Sequence, residues 1–181
     1  PEELASTVAW LKEHLAPGKH IWPVVYLSRL IQPTPEHLGK STRFDKIPGM
    51  DLDNEAGVRA IFEQEWRNAC LIAKELHSPG IILDPECYGN GAVRYPKKLA
   101  QMRYEDVATT LAKCRAFGAR LAEITEEAYP DCHIVTLYTG LYERPENWRT
   151  EAHIHLGIIQ RAKQLGSRQM LIDGGELGLG Y

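Results

Sequence analysis

Apolar positions recur along the chain at two alternating spacings, one typical of helices and one typical of strands. Leu4, Val8 and Leu11 follow the helical spacing, and the run 20–27 is rich in β-branched and aromatic residues. Continued along the chain, the alternation predicts helices over 2–15, 54–77, 104–128 and 150–165. It predicts strands near 21–27, 80–84, 133–138 and 169–173.

Helix-breaking residues fall between these segments. Each helical pattern ends shortly before a proline or glycine, namely Pro17, Pro79, Pro130 and Gly166. Asp53 or Asn54 is predicted to cap the second helix. Because helices and apolar strands alternate without interruption, we expect right-handed crossovers and one parallel sheet with the helices outside.

The predicted fold class is α/β, built from parallel β/α units of a TIM-like (β/α) barrel. Residues 1–181 form either a single α/β domain or an excerpt of a larger (β/α)8 barrel. Four strands are too few to close the usual eight-stranded barrel, which takes about 250 residues. A partial barrel is therefore expected, with sheet edges and an apolar interior exposed, so the chain alone should associate or be poorly soluble.

Composition and charge argue against some classes of function. The net charge is −3 and no basic stripe is present, which argues against nucleic-acid binding. No apolar run is long enough to cross a bilayer. The four cysteines form no CxxC pair, and Cys70 and Cys114 are predicted to be buried free thiols. Localisation and oligomeric state are left open.

Ligand sites of parallel α/β folds lie beyond the carboxyl ends of the strands, and acidic residues occur there. Asp84 and Glu86 flank Pro85 at the end of the second strand. Residues two apart on an extended segment point to the same side, and nearby like charges raise the pKa of one carboxyl group. A glycosidase needs such a protonated acid for its leaving oxygen. The structural alternative is that Asp84-Pro85 opens a turn and Glu86 is solvated.

A second acidic feature follows the fourth strand. Asp173 and Glu176 flank Gly174-Gly175, and either acid is a candidate partner carboxylate. The alternative is a flexible turn whose acids face water. His153 and His155 fall inside the fourth helix, where residues two apart do not face together, so no metal site is expected there.

Aromatic and basic residues near the strand ends are candidates for substrate binding. Sugar rings stack on aromatic side chains, and ligand sites combine such apolar walls with few polar groups. Simple packing is the alternative for the aromatic residues. The candidates for contact with a carbohydrate substrate are Tyr26, Arg29, Tyr88, Tyr138 and Tyr142.

Three segments carry a resemblance to TIM-barrel glycoside hydrolases. They are GIILDPECYG (80–89), YPDCHIVTLYTGLY (129–142) and MLIDGGELGLGY (170–181). The Asp-x-Glu at a strand end is similar to that of several retaining or substrate-assisted glycosidase families. The resemblance implies that Glu86 is the catalytic acid and Asp84 its tuner.

These residues favour a hydrolase of O-glycosidic bonds that uses paired carboxylates and no cofactor. One alternative is a non-catalytic carbohydrate-binding or scaffold barrel module. Another is a metal-dependent TIM-barrel enzyme in which the four acids at the strand ends, Asp84, Glu86, Asp173 and Glu176, bind Mg²⁺ or Mn²⁺.

Overall fold

A computed structural model describes residues 2–27, 52–53, 57–85, 106–137 and 150–175. Within those ranges the chain forms four helices, α1 (Glu2–His14), α2 (Val58–Glu75), α3 (Val107–Ala128) and α4 (Thr150–Leu165). They alternate with four strands, β1 (Val24–Tyr26), β2 (Gly80–Asp84), β3 (His133–Thr136) and β4 (Met170–Asp173). No helix in the described ranges is both long and apolar enough to span a membrane.

The strands form one sheet in the order β1-β2-β3-β4, and all three pairings are parallel. This confirms the predicted mixed α/β class and the predicted parallel pairing of the four apolar segments. Each described strand lies beside the next described strand in sequence, so the spatial order of the strands is the same as their order in the chain.

The two faces of the sheet differ in burial. Ile81, Leu83 and Ile134 are completely buried on one face, where they join the hydrophobic core formed with the helices. Alternation along the strands directs their neighbours to the opposite face. There a row of register partners crosses all four strands, and we call it the open face: Val24, Ile82, Val135 and Ile172. Val24 is 43% exposed and Ile172 37%, so the core formed by the described residues lies on the helix side.

Aromatic rings occupy the centre of the helix-side core. Phe62 and Trp66 lie one turn apart on α2, and their ring centroids are 6.2 Å apart. The Phe117 ring of α3 packs against Phe62 at 5.6 Å. Trp66 is completely buried, and its Nε1 donates to Thr125 Oγ1 at 2.9 Å. The indole thereby joins α2 to α3 through both packing and a satisfied polar group.

Glycines allow α3 and α4 to approach closely. A Cβ added to Gly118 of α3 would lie 2.0 Å from the carbonyl oxygen of Ile154. A Cβ added to Gly157 of α4 would lie 2.1 Å from the carbonyl oxygen of Arg115. Both distances are far below van der Waals contact, so the spacing of these two helices depends on the absence of a side chain at each position.

Gly157→Ala is therefore expected to lower the free energy of unfolding by about 1–3 kcal/mol, the usual cost of overpacking. In an unconstrained helix the same substitution would stabilise the protein by roughly 0.5–1 kcal/mol. The sign of the change in free energy therefore shows whether the two helices are in close contact at Gly157. Urea unfolding followed by circular dichroism measures it. Gln160→Ala, at an exposed position of α4, is the control and should change little. A more stable Gly157→Ala variant would contradict the close approach.

Local capping explains the start of α3 but not the start of α2. Asp106 caps α3, where its Oδ1 accepts the Thr109 backbone N–H at 2.7 Å. The N-cap of α2 is Gly57, so the prediction of a cap at Asp53 or Asn54 is wrong. The physical reason lies in tertiary structure, because the Asp53 carboxylate instead accepts a hydrogen bond from Lys113 Nζ of α3.

The thiols described by the structure are buried and free. Cys70 and Cys114 lie on helices as predicted, and Cys132 precedes β3. The hydrogen bond with Cys70, followed by burial, raises the pKa of the Cys132 thiol. A thiol that stays protonated is a poor nucleophile, so Cys132 is structural. Cys87 lies outside the described residues.

Candidate functional site

The carboxyl edge of the sheet brings Tyr26 and Asp84 together. The two residues are register partners at the ends of β1 and β2. Alternation along each strand places them on the side of the open face, away from the helices. Tyr26 is 48% exposed, whereas Asp84 is 9% exposed. A solvent-accessible ring therefore adjoins a largely buried carboxyl group.

Asp84 is fixed by the strand that precedes it. Ile81 and Leu83 are completely buried on the helix side, which sets the pleat of β2 and hence the side on which Asp84 projects. Pro85 follows and is also buried. Proline fixes its own φ and cannot donate to a sheet ladder, so it is suited to the end of a strand.

Asp173 is in a different environment. Its register partner on β3 is Thr136, which is completely buried on the helix side, so alternation assigns Asp173 to that side of the sheet. Its Oδ1 accepts the Gly175 N–H at 3.0 Å, and the residue is exposed. This side-chain-to-backbone bond is an Asx turn, the structure expected of an acid that opens a turn.

Asp84 and Asp173 therefore lie on different faces at this edge. β3 also stands between their strands, which separates the strand axes by roughly 10 Å. The structure brings Asp84 together with Tyr26 and does not bring it together with Asp173. The remaining predicted site residues lie outside the described part of the chain: Arg29, Glu86, Tyr88, Tyr138, Tyr142 and Glu176.

The sequence did not predict the buried polar residues that lie between β3 and α4. Thr136 Oγ1 and His155 Nε2 lie 3.3 Å apart, and both residues are completely buried. Glu151, only 4% exposed, precedes His155 by four residues and so shares its side of α4. Burial, and secondarily the charge of Glu151, raises the pKa of Cys114 to about 12. The Glu-to-His spacing on an apolar helix was the only sequence signal for this cluster.

The two histidines of α4 have separate partners. His153 Nδ1 accepts from Arg115 Nε at 3.0 Å, whereas His155 contacts Thr136. Burial, followed by the positive charge of Arg115, lowers the pKa of His153. The imidazole is therefore neutral at physiological pH and available as an acceptor. Within the described ranges, no three His, Cys, Asp or Glu side chains are grouped as a metal site.

A polar cleft of about 480 Å³ lies between α2 and α3, on the helix side of the sheet. Its arginines are held by carboxylates: Arg59 pairs with Glu63 at 2.8 Å, and Arg120 pairs with the same glutamate at 3.3 Å. Arg67 pairs with Glu127 at 2.6 Å. Because its charges are matched internally, the cleft joins two helices and is not a candidate for substrate binding.

No protein-family model matches this sequence, and neither a curated protein nor a solved structure matches it.

Proposed function

We propose that the chain carries a partial (β/α) barrel and hydrolyses O-glycosidic bonds of a carbohydrate substrate. The observation that carries the proposal is the placement of Asp84. This nearly buried carboxyl group lies at the carboxyl end of a parallel strand, on the face turned away from the helices, next to an exposed tyrosine.

The strand order supports a barrel-type fold. In doubly wound folds the strand order reverses within the sheet, and helices cover both faces. Among the described strands the order β1-β2-β3-β4 never reverses, and the core formed by the described residues lies on one face. Successive right-handed crossovers in one direction place every helix on the same side, as in a (β/α) barrel. The open face corresponds to the interior of such a barrel.

The chemistry of the site supports a carbohydrate reaction. In barrels of this type, catalytic groups project from strand carboxyl ends into the mouth of the barrel, the position of Asp84. Tyr26 offers an exposed ring for stacking against a sugar. On this proposal Glu86 protonates the leaving oxygen, Asp84 holds the proton on Glu86 by its negative charge, and Glu176 is the first candidate for the partner carboxylate.

The different positions of Asp84 and Asp173 provide a matched test. Asp84→Asn is expected to lower kcat/KM for a natural glycoside, whose leaving oxygen needs protonation, by at least about tenfold, the effect of one pKa unit on the acid. Asp173→Asn removes the same charge at the same edge but on the helix side. It should change kcat/KM by less than about twofold, the range of surface substitutions. Circular dichroism confirms that both variants are folded.

Losses of similar size in both variants would argue against a site on the open-face side. A wild-type chain that binds oligosaccharides but shows no turnover would favour the non-catalytic binding module. Calorimetric titration with an oligosaccharide, run beside the hydrolysis assay, separates these results.

A further inference from the structure

We propose that the open face is an interface for a second copy of this chain, and that two copies close one eight-stranded parallel barrel. In this arrangement β4 of one copy lies beside β1 of the other on both sides of the barrel. The four described strands of each copy supply half of the eight that a closed barrel of this class contains.

The burial of the open face points to an occupant. Val24, at one edge of the sheet, is 43% exposed, and Ile172, at the other edge, is 37% exposed. Their row consists of apolar residues on every strand. Parallel sheets occur almost only with both faces covered, whereas here the described helices cover one face. An uncharged row of branched side chains is suited to contact with an identical row.

The unpaired edges of the described sheet indicate how the second copy is oriented. Among the described strands, β1 pairs only with β2 and β4 pairs only with β3. A twofold rotation about an axis along the barrel would bring β4 beside the partner's β1 in parallel orientation, twice. Both open edges are then paired by one closed symmetry operation, which leaves no edge for further growth.

The first helix provides an independent observation. The apolar stripe of α1 is only partly covered: Val8 is buried, whereas Leu4 and Leu15 are half-buried. α1 packs on α2, with Lys12 Nζ 3.0 Å from Glu75 Oε2. Because α1 precedes β1, it takes the position of a barrel helix that spans the gap between β1 and a strand beyond it. β4 of a second copy would be that strand and would complete the cover of the stripe.

The inference does not require the proposed glycosidase activity, because its test contains no substrate. Light scattering during gel filtration should give a dimer, twice the 20.4 kDa of one chain. Ile172→Glu places a charge on the open face and should convert the dimer to monomer. Ile61→Glu makes the same change at a 59%-exposed position of α2, in the middle of the helix layer, and should leave the dimer intact.

A crosslink provides a second measurement in case Ile172→Glu fails to fold. Copies carrying Val24→Cys are mixed with differently tagged copies carrying Ile172→Cys, both in a Cys87→Ser background, and oxidised with a small disulfide. The expected product is a disulfide that joins the two tags. A folded monomer, aggregation without a discrete dimer, or a dimer without this crosslink and unaffected by Ile172→Glu would each overturn the proposal.

Discussion

Replacing Glu86 with glutamine is expected to slow hydrolysis of a natural glycoside by about 10²–10⁴-fold, the usual contribution of a positioned proton donor. Glutamine keeps the size of the side chain but cannot give a proton to the leaving oxygen. An activated aryl glycoside has a leaving group that departs without protonation, so its hydrolysis should slow much less. Initial rates on both substrates, with the wild-type chain and the variant, measure the difference.

Glu13→Gln is the matched control, because it makes the same change at an exposed position of α1. It should leave both rates unchanged. If Glu86→Gln lost activity equally on the two substrates, Glu86 would not be the acid. If it lost activity on neither, Asp84-Pro85-Glu86 would be a turn without a catalytic role.

Trp66→Ala is expected to lower the free energy of unfolding by about 3–5 kcal/mol, as for other large aromatic residues removed from cores. Trp66 is completely buried, it packs near Phe62, and its Nε1 donates to Thr125. Truncation leaves a cavity between α2 and α3 and removes that hydrogen bond. Since domains are typically stable by only about 5–15 kcal/mol, the variant should unfold at much lower urea.

Trp10→Ala is the control for this change, because Trp10 is 58% exposed on α1 and stacks on His14. It should cost no more than about 0.5 kcal/mol, the range for surface positions. Trp66→Phe should lose less than Trp66→Ala, since it keeps most of the buried ring. A loss below about 1 kcal/mol in Trp66→Ala would contradict the central position of this residue in the core.

Local patterns predicted the elements of the fold because they depend on neighbouring residues. The fourth helix begins at Thr150 and ends at Leu165 as its apolar spacing indicates, and the four strands pair in parallel as the alternation requires. The start of α2 was placed too early because Asp53 resembles a helix cap in sequence. Its contact with Lys113, sixty positions away, is visible only in three dimensions.

The candidate site was less predictable, because it depends on register. Asp84 and Asp173 both follow apolar strands, and the sequence contains nothing that assigns them to different faces. That assignment requires the pairing of Asp84 with Tyr26 and of Asp173 with Thr136. The buried contact of His155 with Thr136 was missed for a similar reason, since Thr136 belongs to another element.

The close contact of α3 and α4 through Gly118 and Gly157 also bears on motion within the chain. Two helices held backbone to backbone cannot slide along each other by small steps, because such a shift brings other side chains against the backbone of the partner helix. They are joined through β3 in a short stretch of sequence, so their contacts close a small loop. The amide hydrogens of this pair should therefore exchange with solvent more slowly than those of α1, which among the described helices packs on α2 and opens locally with less free energy.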